Sequence, residues 1–233
     1  MIDQRAIGYG EELTWLLFLI GSAAYACATA VIDRSWTLSA APIVVITALI
    51  AIRRKRWIWP IVFFWVAIAA LALPPNAAAI MRPTGWVLPA EAIALALVGG
   101  GTAGAPMLDR RAGRLAVAAM LALFGAVHLY NAIGISGLIP EWLPVRTIAP
   151  YASGTLQLLA AAWLVVRPAR WPALAIAAMY LSWLPLIHLP RLFTQPNDAR
   201  EWQFAAMALG LAGAVALSTS RLTSRPRYEE PTQ

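Results

Sequence analysis

Residues 149–189 read APYASGTLQLLAAAWLVVRPARWPALAIAAMYLSWLPLIHL. Two apolar runs, 149–166 and 171–189, meet at a short basic joint that holds Arg167 and Arg170, and neither run contains an Asp, Glu, Lys or Arg. Each approaches the roughly 20 residues that carry a helix across a bilayer. The joint is too short for anything but a tight turn between antiparallel neighbours. The same reading extends outward to six further apolar segments, at 13–32, 36–52, 57–74, 86–105, 115–134 and 203–220. The expected fold is an all-α, polytopic membrane bundle of about eight transmembrane helices.

Composition agrees. The chain has 233 residues, 61% hydrophobic and 12% charged, against about 45–50% and a quarter in a soluble domain. Eight spans take up about 160 positions at 20 each, which leaves no room for a separate soluble domain. Segment 36–52 is short and contains Pro42, and segment 86–105 carries Glu91 and Gly99-Gly100-Gly101. Either can be re-entrant or broken, in which case seven spans remain.

The net charge of +7 invites a nucleic-acid reading, but the basic residues are scattered among short loops instead of gathered on one face. Topology accounts for them. With both termini in the cytoplasm, 13 Lys and Arg fall inside, including the cluster at 53–56, and five fall outside: Arg34, Arg82, Arg146, Arg191 and Arg200. This is the positive-inside bias of a multi-pass protein of the cytoplasmic membrane. Trp57, Trp59, Trp86, Trp171 and Trp202 stand at segment ends, where an amphipathic ring anchors among headgroups. The acidic start, with Asp3, Glu11 and Glu12 against Arg5, is the wrong balance for a cleavable signal peptide, so the first span is expected to stay as an anchor. A lone Cys27 can form neither an internal disulfide nor a CxxC pair.

Polar side chains are expensive in a bilayer core, so the few present are the candidates for function. At 1.5 Å per residue, His128, Gln157 and Glu91 lie roughly 9, 12 and 7 Å below the outer ends of their spans. His188 sits close to an outer end. His128 shares a helical face with Asn131, and Gln157 shares one with Ser153. If the two faces meet, they form an outward-facing polar pocket in which His128 contacts Gln157, with Tyr151 near the mouth. The competing reading is interhelical hydrogen bonding with no ligand. Two histidines permit bis-imidazole haem ligation, but their differing depths and the lack of a Cys or acidic cluster argue against haem or a metal. Gly99-Gly100-Gly101 is followed by no Lys-Ser or Lys-Thr and lies in an apolar run, so it is no phosphate loop. With Gly104, and like Ala206, Gly210 and Ala214, it reads as a close-packing surface. Pro185 should kink its helix between Tyr180 and His188.

The second half carries a more particular pattern. Phe124-Gly125-Ala126-Val127-His128, then Leu138-Ile139-Pro140-Glu141-Trp142-Leu143-Pro144, then Tyr151-Ala152-Ser153-Gly154-Thr155-Leu156-Gln157 resembles the DoxX-like family of small four-helix membrane proteins over about residues 112–220. A loop at 105–114 with Pro106, Asp109 and three arginines marks a 4+4 division, into an N-terminal four-helix region at 1–108 and a four-helix bundle at 109–220 to which the DoxX-like resemblance applies, and the polar tail at 221–233, with Pro226 and Pro231, is expected to be a flexible cytoplasmic end. The resemblance implies a quinone-linked or accessory redox role beside a membrane partner subunit, with Trp142 anchoring a Pro-stiffened loop over the pocket. One departure is that Gln157 stands where the family carries a glutamate, which leaves Glu91 and Glu141 as the available acids. A permease and a noncatalytic assembly protein are the alternative functions.

Overall fold

The computed structural model describes residues 4–32, 36–74, 76, 80–102, 110–167 and 169–219. Among these the chain is mostly helical, with no strand. The helices are α1 (Gln4–Ile32), α2 (Trp36–Ala51), α3 (Trp59–Leu71), α4 (Val87–Thr102), α5 (Arg110–Tyr130), α6 (Ala132–Ser136), α7 (Ala149–Val166), α8 (Arg170–Trp183), α9 (Leu189–Thr194) and α10 (Ala199–Leu217). Gly104 and the tail at 221–233, both of which entered the reading of the sequence, lie outside the described residues.

Five stretches are long and apolar enough to cross a membrane: Glu11–Ile32, Pro83–Thr102, Arg111–Tyr130, Ala149–Val166 and Arg170–Thr194. Ala40–Ala51 and Trp59–Leu71 are shorter apolar helices. The chain is thus a membrane-type helical bundle, and large aliphatic and aromatic side chains such as Leu49, Phe63, Leu159 and Val165 are exposed on its outside. In water such a surface would drive aggregation; against lipid tails it is the expected solvent-facing surface.

Segment 86–105, with its Glu and three glycines, is neither re-entrant nor broken where it is described: α4 runs without interruption to Thr102, and Gly99, Gly100 and Gly101 are buried within it. α2 likewise runs through Pro42. At Pro185 the chain does not simply bend. It forms a π turn, Leu184–His188, that links α8 to α9. Proline removes the backbone donor of an ordinary helical turn, and the wider π turn takes in the misfit.

Lipid gives no hydrophobic force between helices, and an interhelical hydrogen bond in a membrane is worth only about 0.6 kcal/mol on average, so close van der Waals contact must hold the bundle. Glycines make it possible. A Cβ on Gly21 of α1 would stand 2.3 Å from the backbone nitrogen of Gly210 on α10, and one on Gly213 would stand 2.4 Å from that of Phe18. α5 and α7 cross in the same manner: a Cβ on Gly125 would lie 2.7 Å from the Gly154 carbonyl oxygen, and one on Gly154 would lie 2.8 Å from that of Gly125. The first and last described helices are therefore packed backbone to backbone.

Aromatic residues close the remaining space. Trp15 stacks on Phe18 at 5.8 Å and donates to the Ala51 carbonyl at 3.0 Å, while Trp65 donates to Ser22 at 3.1 Å and packs on Tyr25 at 4.9 Å. The buried core passes without a break from α1 through α4 and α5 to α10. Both halves of the sequence contribute to it.

Candidate functional site: a polar-ended chamber in an apolar bundle

A cavity of about 830 Å³ opens inside the bundle, at the end that carries the 137–148 loop. That is within the range of small-molecule sites. Its wall is mostly aliphatic, and α1, α4, α5, α7, α8, the π turn and α10 all contribute to it.

Three polar groups converge on the chamber from three helices. Glu91 of α4 is 5% exposed and lines the chamber, as do Tyr25 and Tyr180. His128 of α5 is 7% exposed, and its Nδ1 lies 2.9 Å from the Phe124 carbonyl oxygen, one helical turn back. Because a carbonyl only accepts, Nδ1 carries a proton, and in the neutral imidazole Nε2 keeps a lone pair. Tyr180 of α8 is fully buried, and its hydroxyl is without a hydrogen-bond partner among the described residues. Buried polar atoms are nearly always hydrogen-bonded, so a free one at a cavity marks a place where something else can bind.

Aromatic rings fix these groups. Trp183 stacks on His128 at 5.8 Å and meets Tyr180 edge-on at 4.9 Å, and Phe124 meets Tyr180 edge-on at 6.4 Å. The close approach at Gly125 and Gly154 sets the position of His128, whose Cβ would lie 2.9 Å from a Cβ on Gly154. The packing glycines and the chamber-lining imidazole thus belong to one structural unit.

A second polar group stands at the rim. Arg191 of α9 holds Glu201 of α10 through two hydrogen bonds, Nε to Oε2 at 2.7 Å and a shorter one to Oε1, and its remaining nitrogen donates to the Leu138 carbonyl at 3.2 Å. One guanidinium therefore ties α9, α10 and the start of the loop together. His188 lies beside this pair, with its Nδ1 buried and unpartnered. On the loop itself Arg146 donates to the Ser136 carbonyl at 3.1 Å and to Glu141 at 3.2 Å.

Of the residues singled out from sequence, Glu91, His128, Ser153 and His188 line the chamber. Asn131, Tyr151 and Trp142 do not; all three are exposed. Asn131 caps the step from α5 to α6, and a Cβ on Gly134 would lie 2.6 Å from its side-chain oxygen, so its amide is folded over its own helix end. No hydrogen bond joins His128 to Gln157 among the described residues. The imidazole bonds to its own helix, and the fully buried Gln157 amide has no hydrogen-bond partner among the described residues and lies outside the chamber wall. Glu141 is exposed and paired with Arg146, so it does not act as an acid inside the bundle.

Sequence reasoning missed Tyr25, Tyr180, Arg191 and Glu201 as members of the site. Tyrosines carry no intramembrane charge to draw notice, and the Arg191–Glu201 pair joins two helices whose meeting no spacing rule predicts. Among the described residues no group of three His, Cys, Asp or Glu is placed to hold a metal ion. Comparison of the chain with family models, with curated proteins and with solved structures finds no match in any of the three.

Proposed function

We propose that the protein is an eight-span protein of the cytoplasmic membrane, both termini inside, that binds a lipid-soluble molecule with a hydroxyl-bearing head in an outer-side chamber. The head is of the quinol or quinone class. The single observation that carries this reading is the convergence of Glu91, His128 and the unpartnered Tyr180 hydroxyl on one apolar cavity.

The donor set suits such a head. His128 Nε2 accepts a hydrogen bond, the Tyr180 hydroxyl donates one, and the Glu91 carboxyl accepts when ionised and donates when protonated. A flat ring fits beside Trp183, which already stacks on His128. A quinone supplies two-electron, two-proton chemistry when bound. The contribution of this chain is to hold the ring away from water and to receive a proton at His128 Nε2 or at the Glu91 carboxylate. The likeness of residues 112–220 to the DoxX-like family points the same way, toward a redox-associated membrane protein acting beside a partner subunit. The chamber also draws Tyr25 and Glu91 from residues 1–108, so on this reading the N-terminal region completes the site.

The test is the ligand content of protein purified in mild detergent. Mass spectrometry of the extract should show a retained quinone or quinol, which His128→Ala releases. Equal retention by wild type and variant would overturn the reading.

A further inference from the structure

Ala152 and Leu156 of α7, and Ser182 and Leu186 of α8 and the π turn, line the cavity and are nonetheless exposed, Leu156 by 52% and Leu186 by 36%. Leu156 lies seven residues into α7 from Ala149, about 10 Å along the helix axis. In an eight-span arrangement that depth would set this part of the wall among acyl chains, below the headgroups. Ser182 is the only polar residue of the four, and it donates to the Met179 carbonyl of its own helix at 2.7 Å. An opening between these two helices would consequently make no polar demand on whatever passed through it. The π turn at Leu184–His188, which interrupts the regular helix beside this stretch, packs on α10. At the rim, by contrast, Arg191 fastens the loop to α9 and α10.

We infer that the gap between α7 and α8 is a lateral portal, through which the chamber takes a chain-bearing lipid directly from the outer leaflet and in which that chain stays once the head is bound. This rests on the ligand reading above and narrows it to the class of occupant. The head reaches Glu91, His128 and Tyr180, and a polyprenyl or long alkyl chain runs outward past Ala152, Leu156, Ser182 and Leu186. A head without a chain would satisfy the polar groups and leave the aperture open to lipid.

The experiment uses the full chain in phosphatidylcholine vesicles with a polyprenyl-type benzoquinol that carries a photoactivatable diazirine midway along its chain. After illumination, peptide mapping should place most of the label on 149–166 and 179–189, and an excess of unlabelled long-chain quinol should reduce it at least fivefold. A Ser182→Trp variant, with the portal narrowed, should lose most of this labelling, while a melting temperature within a few degrees of wild type reports that it is folded; labelling equal to wild type in the folded variant would count against the portal. Label concentrated on the 137–148 loop, or no competable label in wild-type protein that binds the tail-less head, would overturn the portal. Failure of wild type to bind the tail-less head would instead overturn the ligand reading itself.

Discussion

At the scale of the residue, the chamber's chemistry turns on atoms that lack partners. The Tyr180 hydroxyl is buried and makes no hydrogen bond, so Tyr180→Phe removes nothing the fold uses. We expect its thermal midpoint to match wild type, or to rise slightly as a desolvation cost is relieved, while retention of the quinol falls about tenfold. Tenfold corresponds to about 1.4 kcal/mol, the worth of one ordinary hydrogen bond. A melting curve and an equilibrium binding curve on the same preparation check both halves of the claim. Arg191 gives the opposite case. Its guanidinium is a quarter exposed and paired with a Glu201 side chain that is 3% exposed. Arg191→Leu strands a carboxylate in the bundle and should destabilise the protein by about 3 kcal/mol, whereas the double variant Arg191→Leu/Glu201→Leu should recover most of that loss, because no buried charge is left alone. Denaturant titration in detergent micelles distinguishes the two.

Contacts between elements depend on glycine. At the α1–α10 crossing a methyl group on Gly21 would fall within 2.5 Å of the Gly210 backbone, where no side chain can move aside. Gly21→Ala should therefore push the helices apart and cost about 1–3 kcal/mol, the usual range for overpacking. Gly210→Ala is milder, since its nearest neighbour would be 3.7 Å away. The contrast is checked by comparing the melting temperatures of the two variants; equal losses would show that the crossing does not turn on the contact at Gly21. Gly210 was legible in the sequence as one of a series of small residues at helical spacing, but Gly21 and Gly213 belong to no such series. What marks them is the neighbour they face, and a single helix does not record its neighbour. The same limit explains Gln157. Its spacing from Ser153 suggests a shared face, yet Ser153 lines the chamber and the buried Gln157 amide lies outside its wall, and no periodicity states which helix lies opposite.

For the whole molecule, the bias of basic residues predicts an orientation that the apolar helices alone leave open. A cysteine introduced at Arg54, in a background where Cys27 is replaced by Ser, should react with an impermeant maleimide only after the cells are opened. One introduced at Trp142, on the exposed loop over the chamber, should react in intact cells. The reverse pattern would invert the topology and place the chamber on the cytoplasmic side. The sequence by itself determined that this is a helical membrane protein and where most of its helices lie, because a lipid environment demands long apolar runs, and basic and tryptophan residues mark their ends. It also pointed to Glu91 and His128, since a charge or an imidazole in such a run stands out. Only the tertiary structure decided that these two share a cavity with Tyr180, that His128 bonds to its own helix instead of to Gln157, and that Arg191 and Glu201 close one rim. The reason is physical: hydropathy is a property of each segment against lipid, whereas a site is made by the rotation and partner of each helix. Those are set by contacts such as Gly21 on Gly210 and Gly125 on Gly154, between residues far apart along the chain.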